Sequence, residues 1–241
     1  MFDEYLKQIQ DEAVAAFPNE AVWLITPGEC RQVKNLAKDP TRTFHVHQKT
    51  MAAALSRGLL AVVHSHPDGY PVPSEADMVG QINTAVPWGI VATDGVACSA
   101  PTWWGAGTPK EPLIGRSFKH GVTDCYALIK DYYALERGIA LPEFPREWGW
   151  WEQGGNLFTE GFAPAGFVQI PADQAQPGDV WLAQIRSAVP NHGGILLENG
   201  LTLHQLGSPN KPIDETKPSV REPIFRYQGH ITHWLRYAGG R

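Results

Sequence analysis

The chain has 241 residues, 43% of them hydrophobic, and a formal net charge of −5 at pH 7. This length suits two domains of about 100 to 150 residues, each able to bury a core. Charged residues form no basic stripe, so nucleic acid is not an expected partner. No secretory leader is recognisable and no segment reaches the ~18 apolar residues of a membrane span, so we expect a soluble chain made in the cytoplasm.

The first hundred residues predict a mixed α/β layer. In chain order the apolar spacing predicts a helix at 3–17, strands at 20–25, 30–36 and 43–48, a helix at 49–58, a strand at 59–66, a helix from Ser74 to about Val86, and a strand at 88–97. The strand at 59–66 is apolar at successive positions, which is typical of a strand buried on both faces.

Residues 101–112 contain three prolines and two glycines and break both periodicities, so they are predicted to link two domains, 1–100 and 113–241. The second domain is predicted to begin with an amphipathic helix that carries Leu128 and Leu135 on its packed side. Strands follow at 178–185, 193–198, 201–206 and 231–237, whereas 142–178 has no assigned element. The predicted fold class is α/β followed by α+β.

The predicted strand 59–66 ends in two histidines. His64 and His66 are two positions apart, so their side chains lie on one face of the strand. Ser74 and Asp77 have the spacing of a helix start, which sets the Asp77 carboxylate in the first helical turn. These residues can form a His2Asp zinc site with its fourth position open to water, although each short motif alone is often only structural.

The order H-x-H-P, then Ser and Asp at the eighth and eleventh positions after the second histidine, resembles the signature of the JAMM/MPN zinc metalloproteases. The resemblance covers about residues 1 to 98 and implies one zinc per chain, held by His64, His66 and Asp77. It also implies that Glu20 is the general base and that Ser74 donates a hydrogen bond to the oxyanion. Trp23 departs from the glycine of the commoner pattern, and this bulkier residue can narrow or reshape the cleft.

The remaining histidines are weaker metal candidates. His45 and His47 repeat the H-x-H spacing without a following Ser/Asp pair, so packing or exposure to solvent is the favoured interpretation. His230 and His233 have a helical ligand spacing inside a segment that is typical of a strand.

Cys125 follows Thr123-Asp124 at a predicted helix start. There, unpaired N–H groups and the positive end of the helix dipole favour a thiolate, so we expect a thiol pKa below the usual ~8.5 and fast alkylation. A buried structural cysteine is the alternative. With three cysteines and no CxxC, neither a disulfide framework nor a cysteine-based zinc site is expected.

His192 and His204 flank a predicted hairpin whose loop length decides whether they can act together. A two-residue Asn199-Gly200 loop would place them on opposite faces. A three-residue loop ending at a left-handed Gly200 would pair Gly194 with His204 and put both histidines on one face. The sequence leaves both registers open.

The order D-C, P-G-D-apolar and H-G-G-I-x-L-x-N-G-x-x-x-H resembles the NlpC-type cell-wall peptidases, whose core is papain-like, over about residues 113 to 241. The resemblance implies that Cys125 is the nucleophile, His192 the general base and His204 the orienting residue. It implies that the N–H of Cys125 contributes to the oxyanion hole. Tyr126 departs from the small residue that often follows the cysteine and can crowd the groove.

Three tryptophans, Trp148, Trp150 and Trp151, lie among glycines. We favour packing of this loop onto its domain over a role in lining a substrate groove.

A JAMM domain followed by an NlpC-type domain resembles the tail-tip assembly proteins of lambda-like siphophages. This implies a virion component at the tail tip that contacts other tail-tip proteins and cleaves peptidoglycan stem peptides at the bacterial cell wall. Two alternatives are a structural tail-tip component with enzyme folds used only for docking, and a protease that processes tail proteins through the zinc site.

Overall fold

The computed structural model describes residues 1–67 and 69–239 of the chain. Contacts divide the chain into two compact units: Met1–Pro73 with Val79–Pro109, and Ser74–Met78 with Lys110–Arg241. None of the described helices combines the length and the apolar character needed to cross a membrane. The mixed α/β content of the two parts confirms the predicted fold class.

The first part of the chain forms a five-stranded mixed sheet. Its elements are helix α1 (Leu6–Ala16), strands β1 (Val22–Thr26) and β2 (Glu29–Val33), helix α2 (Gln48–Ser56), strand β3 (Ala61–His66), helix α3 (Glu75–Thr84), and strands β4 (Trp88–Ala92) and β5 (Thr102–Trp104). The strand order is β2-β1-β3-β4-β5. The pair β3 and β4 is parallel, and the other pairs are antiparallel.

The side chains of the central strand β3 point alternately to the two faces of the sheet. Val63 belongs to a buried cluster with Ile9 and Ala13 of helix α1. Because side chains alternate along a strand, His64 and His66 point to the opposite face. Every position of β3 is buried, as its apolar run predicted. The fold therefore buries the two histidines side by side at the end of the strand.

The segment 43–48, predicted as a strand, is irregular up to residue 47, so that prediction is wrong. The side chain of Asn35 satisfies backbone groups that a neighbouring strand would have satisfied. Its Oδ1 accepts from the N–H of His45 at 3.1 Å, and its Nδ2 donates to the carbonyl of Thr43 at 3.1 Å. An alternating pattern cannot reveal such side-chain competition for the backbone.

The first residues of the predicted linker 101–112 form a strand in the structure, not a linker. Strand β5 pairs with β4, with Trp104 opposite Trp88 and Thr102 opposite Ile90. Three residues are too few for alternation to be recognised in a sequence, which explains why this edge strand was not predicted.

The second part of the chain forms a six-stranded antiparallel sheet covered by helix α4. Its elements are strand β6 (Phe118–Lys119), helices α4 (Cys125–Arg137) and α5 (Leu157–Gly161), and strands β7 (Phe167–Ile170), β8 (Val180–Ala183), β9 (His192–Leu196), β10 (Leu201–His204), β11 (Ile213–Asp214), β12 (Val220–Pro223) and β13 (Ile231–Tyr237). The order is β12-β10-β9-β8-β13-β7, and β6 pairs separately with β11.

Helix α4 packs on the middle of this sheet. The helix shares a buried cluster with β8 and β9: Leu128, Ile129 and Tyr133 of the helix, Leu182 of β8 and Ile195 of β9. The helix ends at Gly138, whose φ of 65° lies in the left-handed region. Leu135, predicted on the packed side, is exposed instead. The half of the helix that begins at Cys125 is therefore packed firmly against the sheet through Leu128 and Ile129.

Candidate functional site

His64 and His66 present two nitrogens to one point. Both side chains are buried, and their Nε2 atoms are 3.0 Å apart. The other ring nitrogen of His66, Nδ1, lies 2.9 Å from the carbonyl oxygen of Tyr70. A carbonyl only accepts, so His66 carries its hydrogen on Nδ1 and presents the Nε2 lone pair. This is the tautomer that a metal ligand requires.

Asp77 completes a group of three possible ligands. One ligand atom from each of His64, His66 and Asp77 lies within 4.8 Å of the others. For comparison, two zinc ligands with bonds of 2.0–2.1 Å at the tetrahedral angle are separated by about 3.3 Å. Two neutral imidazoles and a carboxylate are the donor set of many open zinc sites. The residues therefore fit a divalent cation in chemistry and in spacing.

Ser74 holds the carboxylate of Asp77. The hydroxyl of Ser74 donates to Oδ2 of Asp77 at 2.7 Å, and the Ser74 N–H donates to the same oxygen at 2.9 Å. In return the N–H of Asp77 donates to Oγ of Ser74 at 3.2 Å. This reciprocal cap of helix α3 gives Ser74 a clear role in orienting Asp77, beside the predicted role at an oxyanion.

Glu20 is buried at the entrance to strand β1. In the ladder of β1 and β3, Val22 lies opposite His64, and the N–H of Ser65 bonds to the carbonyl of Ala21. Continuing this register by two residues brings Glu20 opposite His66, on the face that carries both histidines. The backbone therefore leads Glu20 toward the metal candidates, as a general base would require.

Cys125 is the first residue of helix α4, and Asp124 caps that helix. Oδ1 of Asp124 accepts from the N–H of Ala127 at 2.9 Å. Its Oδ2 accepts from the N–H of Gly121 at 2.7 Å and from Nη2 of Arg146 at 2.6 Å. The buried aspartate thus fixes the helix start and also the segment that carries Arg146.

The expected low pKa of the Cys125 thiol is wrong. Burial, with the negative charge of Asp124 adding to it, raises the pKa of Cys125 to about 12. Arg146 and the backbone N–H groups of Gly193 and Tyr126 act in the opposite direction but do not prevail. The helix-start argument neglected both burial and the adjacent carboxylate. The resting thiol is therefore neutral.

The hairpin of β9 and β10 has the longer loop of the two alternatives. His204 lies opposite Gly194, and the N–H of Leu197 donates to the carbonyl of Leu201 at 2.8 Å. Gly200 has a φ of 67°, and Asn199 is also left-handed, with a φ of 59°. The three-residue loop is thus confirmed, and with it the prediction that both histidines share a face.

His192 and His204 are joined directly. Nε2 of His192 lies 3.1 Å from Nδ1 of His204, and both rings are buried. Burial and the neighbouring His204 hold the pKa of His192 well below its ordinary value. Burial also lowers the pKa of His204. Both imidazoles are therefore neutral at pH 7 and able to accept a proton when one is released nearby.

One residue of this site was missed from the sequence. Nε2 of His204 lies 2.7 Å from Oε1 of Glu222, in strand β12. That strand is four residues long and ends in a proline, so it forms the edge of the sheet and has no recognisable alternating pattern. Only the proline, which is tolerated in edge strands, offered a signal.

A cleft of about 510 Å³ opens beside Cys125 and His192. Trp148, Trp150 and Trp151 line it. They also pack their loop onto the domain, as favoured from the sequence, because Trp148 contacts Phe118 and Trp150 contacts Phe158. The cleft walls are mainly apolar, and the nucleophile candidate lies at its side. An extended substrate could therefore bind against aromatic surfaces while its scissile bond faces the thiol.

The other histidines have separate surroundings. Nδ1 of His47 accepts from the N–H of Lys49 at 3.1 Å and caps helix α2. Within residues 1–67 and 69–239, the group of three possible metal ligands is the one that contains His64. His45, His230 and His233 are not part of it.

Comparisons with known proteins match both halves of the chain. Residues 101–230 match the NlpC/P60 family, and residues 3–104 match the prokaryotic homologs of the JAB domain. The tail tip assembly protein K of Escherichia phage lambda is 41% identical over 156 residues, which are 65% of this chain and 74% of that protein. The protein of the same name from Escherichia phage N15 is 30% identical over 223 residues, 86% of each chain.

A solved structure of an NlpC/P60 family protein from Bacillus cereus ATCC 10987 is 13% identical and covers 95% of this chain and 67% of that one. Its TM-score of 0.30 is too low to support an argument. The family match covers more than half of this chain, and the chain covers more than two thirds of each phage protein. The chain therefore belongs to the NlpC/P60 family and to the family of tail tip assembly protein K.

Proposed function

We propose that this phage tail-tip protein is a peptidoglycan stem-peptide endopeptidase whose reaction is carried out by Cys125 and His192. The observation that carries the proposal is the alignment of His192 and His204 on one face of the sheet, with His192 at the cleft that Cys125 also lines. A buried histidine pair beside a thiol at a helix start is the arrangement that acyl transfer by a cysteine requires.

In this reaction the neutral thiol transfers its proton to His192 as the sulfur attacks the scissile carbonyl. The N–H of Cys125, one of the unpaired donors at the start of helix α4, stabilises the oxyanion. His192 then protonates the leaving amine, and His204 keeps the imidazole oriented. Because the resting thiol is neutral, proton transfer and attack occur together and no preformed ion pair is needed.

We further propose that the first domain is a zinc peptidase or isopeptidase. Zinc held by His64, His66 and Asp77 would supply a Lewis acid and an activated water at neutral pH. Glu20 would accept the proton of the attacking water. The Ser74 hydroxyl, whose single hydrogen is bonded to Asp77 here, would turn from that carboxylate to donate to the oxyanion, while the Ser74 N–H keeps Asp77 in place. The converging ligand atoms and the register that leads Glu20 to the same face support this proposal.

The domain division predicted from the sequence, 1–100, a linker at 101–112, and 113–241, is proposed with one change: strand β5 (Thr102–Trp104) pairs with β4 and is assigned to the first domain. The division of contacts at Pro109 and Lys110 and the two family matches support it. The proposed place of action is the virion tail tip at the bacterial cell wall, among other tail-tip proteins. The family of tail tip assembly protein K supports this placement.

The test is to incubate the purified full-length protein with cell-wall fragments and, separately, with tail proteins, and to identify the products by mass spectrometry. We expect cleaved stem peptides with the unaltered protein and with His66→Ala, and none with Cys125→Ala. Cleavage of tail proteins that is lost only in His66→Ala would favour the processing protease instead. Absence of any cleavage would favour a structural docking role.

A further inference from the structure

The hydrogen-bonded chain that starts at His192 does not stop at His204. It continues from Nε2 of His204 to Oε1 of Glu222 at 2.7 Å. Glu222 lies opposite Thr202 in the ladder of β10 and β12, and Val220 lies opposite His204. Glu222 is therefore the diagonal neighbour of His204 on the same face, at a separation that a glutamate side chain can span.

Glu222 is held as an anion. The hydroxyl of Tyr227 donates to its Oε1 at 2.7 Å, and Nη1 of Arg226 donates to its Oε2. Burial opposes ionisation, but the hydrogen bonds from Tyr227, His204 and Arg226 prevail, so the pKa of Glu222 lies below its ordinary value. An ionised carboxylate has no hydrogen to donate. His204 must therefore be the donor in the bond between them.

This requirement fixes the hydrogens of both rings. His204 carries its hydrogen on Nε2, so in the neutral ring Nδ1 is an acceptor. The bond of 3.1 Å from Nδ1 of His204 to His192 then needs a hydrogen on Nε2 of His192. In a neutral His192, Nδ1 is left as the lone pair. The Glu222 carboxylate thus determines which atom donates in each hydrogen bond of the series from Glu222 to His192.

We propose that Glu222 is a positioning residue that sets the tautomers of His204 and His192, so that Nδ1 of His192 receives the proton of Cys125. The role rests on the proposed function of Cys125 as the nucleophile. During attack, the S–H bond breaks, the sulfur forms a bond to the carbonyl carbon, and the proton moves to His192. Glu222 stays ionised and stabilises the imidazolium through His204.

A glutamine at position 222 tests the role because it keeps the shape and can donate. In Glu222→Gln the amide can bond to Nε2 of His204 as a donor, which reverses both rings and puts a hydrogen on Nδ1 of His192. We expect kcat to fall about 10- to 100-fold with KM within about twofold, since a wrong tautomer disables the base without altering the cleft. Glu222→Asp, which only accepts, should recover part of kcat.

The deciding measurement needs no substrate. Ring-nitrogen chemical shifts of 15N-histidine-labelled full-length protein report which nitrogen carries hydrogen. We expect hydrogen on Nε2 of both His192 and His204 in the unaltered protein, and on Nδ1 of both in Glu222→Gln. Arg221→Gln is the matched control, because Arg221 is the preceding residue on β12 and its side chain lies on the other face.

The outcomes separate this proposal from the proposed function. Unchanged ring-nitrogen shifts in Glu222→Gln, or reversed shifts with full kcat, would overturn the role of Glu222. Stem-peptide cleavage that persists in Cys125→Ala would instead overturn the nucleophile, and the tautomer result would still stand by itself. Near-UV circular dichroism identifies a misfolded Glu222→Gln, in which case Glu222→Asp carries the test: a kcat equal to that of Glu222→Ala would count against the role.

Discussion

The two histidine pairs of this protein have almost the same nitrogen separation and opposite arrangements. In the first domain His64 and His66 are two residues apart, and their Nε2 atoms face each other at 3.0 Å. In the second domain His192 and His204 are twelve residues apart, and Nε2 of one meets Nδ1 of the other at 3.1 Å. The residue type and the distance therefore do not distinguish the two sites.

The two pairs differ in the carboxylate that accompanies each of them and in how the ring nitrogens are oriented toward it. The first pair converges with the carboxylate of Asp77, which gathers three electron-pair donors around one point and suits a cation. The second pair alternates donor and acceptor from Glu222 inward, which suits the movement of a proton. A histidine pair thus has to be interpreted from its atoms and its third partner.

The largest expected effect is a loss of stem-peptide cleavage that leaves the metal content unchanged, which would show that the two histidine pairs act separately. Cys125→Ala and His192→Ala should each lower stem-peptide cleavage by at least about 10⁴-fold, because nucleophile and base act as a unit. Both variants should keep their metal content. Chromatography of released peptides and elemental analysis of the same samples check this. Zinc lost together with cleavage would mean that the two sites are not independent.

Glu20→Gln should lower any chelator-sensitive hydrolysis by about 10²- to 10⁴-fold, which is the usual contribution of a general base. The zinc content of this variant should equal that of the unaltered protein, because a base does not ligate the metal. If zinc is lost with the activity, Glu20 is a ligand or a support for one.

Metal content tests the first pair directly. The unaltered protein should hold about one zinc per chain, and His66→Ala should retain less than about a tenth of that, because two remaining ligands bind weakly. His45→Ala is the matched control, since His45 is exposed and belongs to the other H-x-H. Inductively coupled plasma mass spectrometry after dialysis measures both. A metal-free unaltered protein that takes up no added zinc would contradict the site.

His204→Ala should have a smaller effect than the loss of His192. An orienting residue contributes less than the base, so we expect a fall in kcat of about 10- to 10³-fold. Steady-state kinetics on a purified stem peptide would measure it. A loss as large as that of His192→Ala would show that the second ring takes part in the transfer itself.

The smallest effect concerns the pH dependence of alkylation. Because burial raises the pKa of Cys125 to about 12, its thiolate fraction should rise about tenfold per pH unit from pH 7 to 10. The iodoacetamide rate should follow this slope, measured for each cysteine by peptide mass spectrometry. A rate that is already constant below pH 8 would indicate a thiolate–imidazolium pair.

Local patterns predicted the first site better than the second. His64, His66 and Asp77 lie within fourteen positions on a strand, a turn and a helix start, so spacing alone could bring them together. The second site depended on a loop of two or three residues, and the sequence allowed either. Asn199 and Gly200 could both take left-handed conformations, so only the folded hairpin decided the register.

Three failures of the sequence-based prediction have a common physical cause. The strand at 43–48 was mispredicted because the Asn35 side chain satisfies its backbone. The low thiol pKa was mispredicted because the half-buried Cys125 is largely removed from water and lies beside the Asp124 carboxylate. Glu222 was missed since its contact with His204 joins residues eighteen positions apart. In each case the result depended on side-chain packing or on a side-chain contact in the folded chain, which local sequence patterns do not describe.

Asp124 links the shape of the proposed substrate cleft to the position of Cys125. One carboxylate oxygen fixes the start of the helix that carries Cys125, and the other fixes Arg146, which lines the cleft. A substitution that reshapes the wall near Arg146 is therefore expected to displace Cys125, the proposed nucleophile, as well. Changes in substrate preference without loss of activity are expected farther along that segment, at Trp148 and Trp151, which do not bond to Asp124.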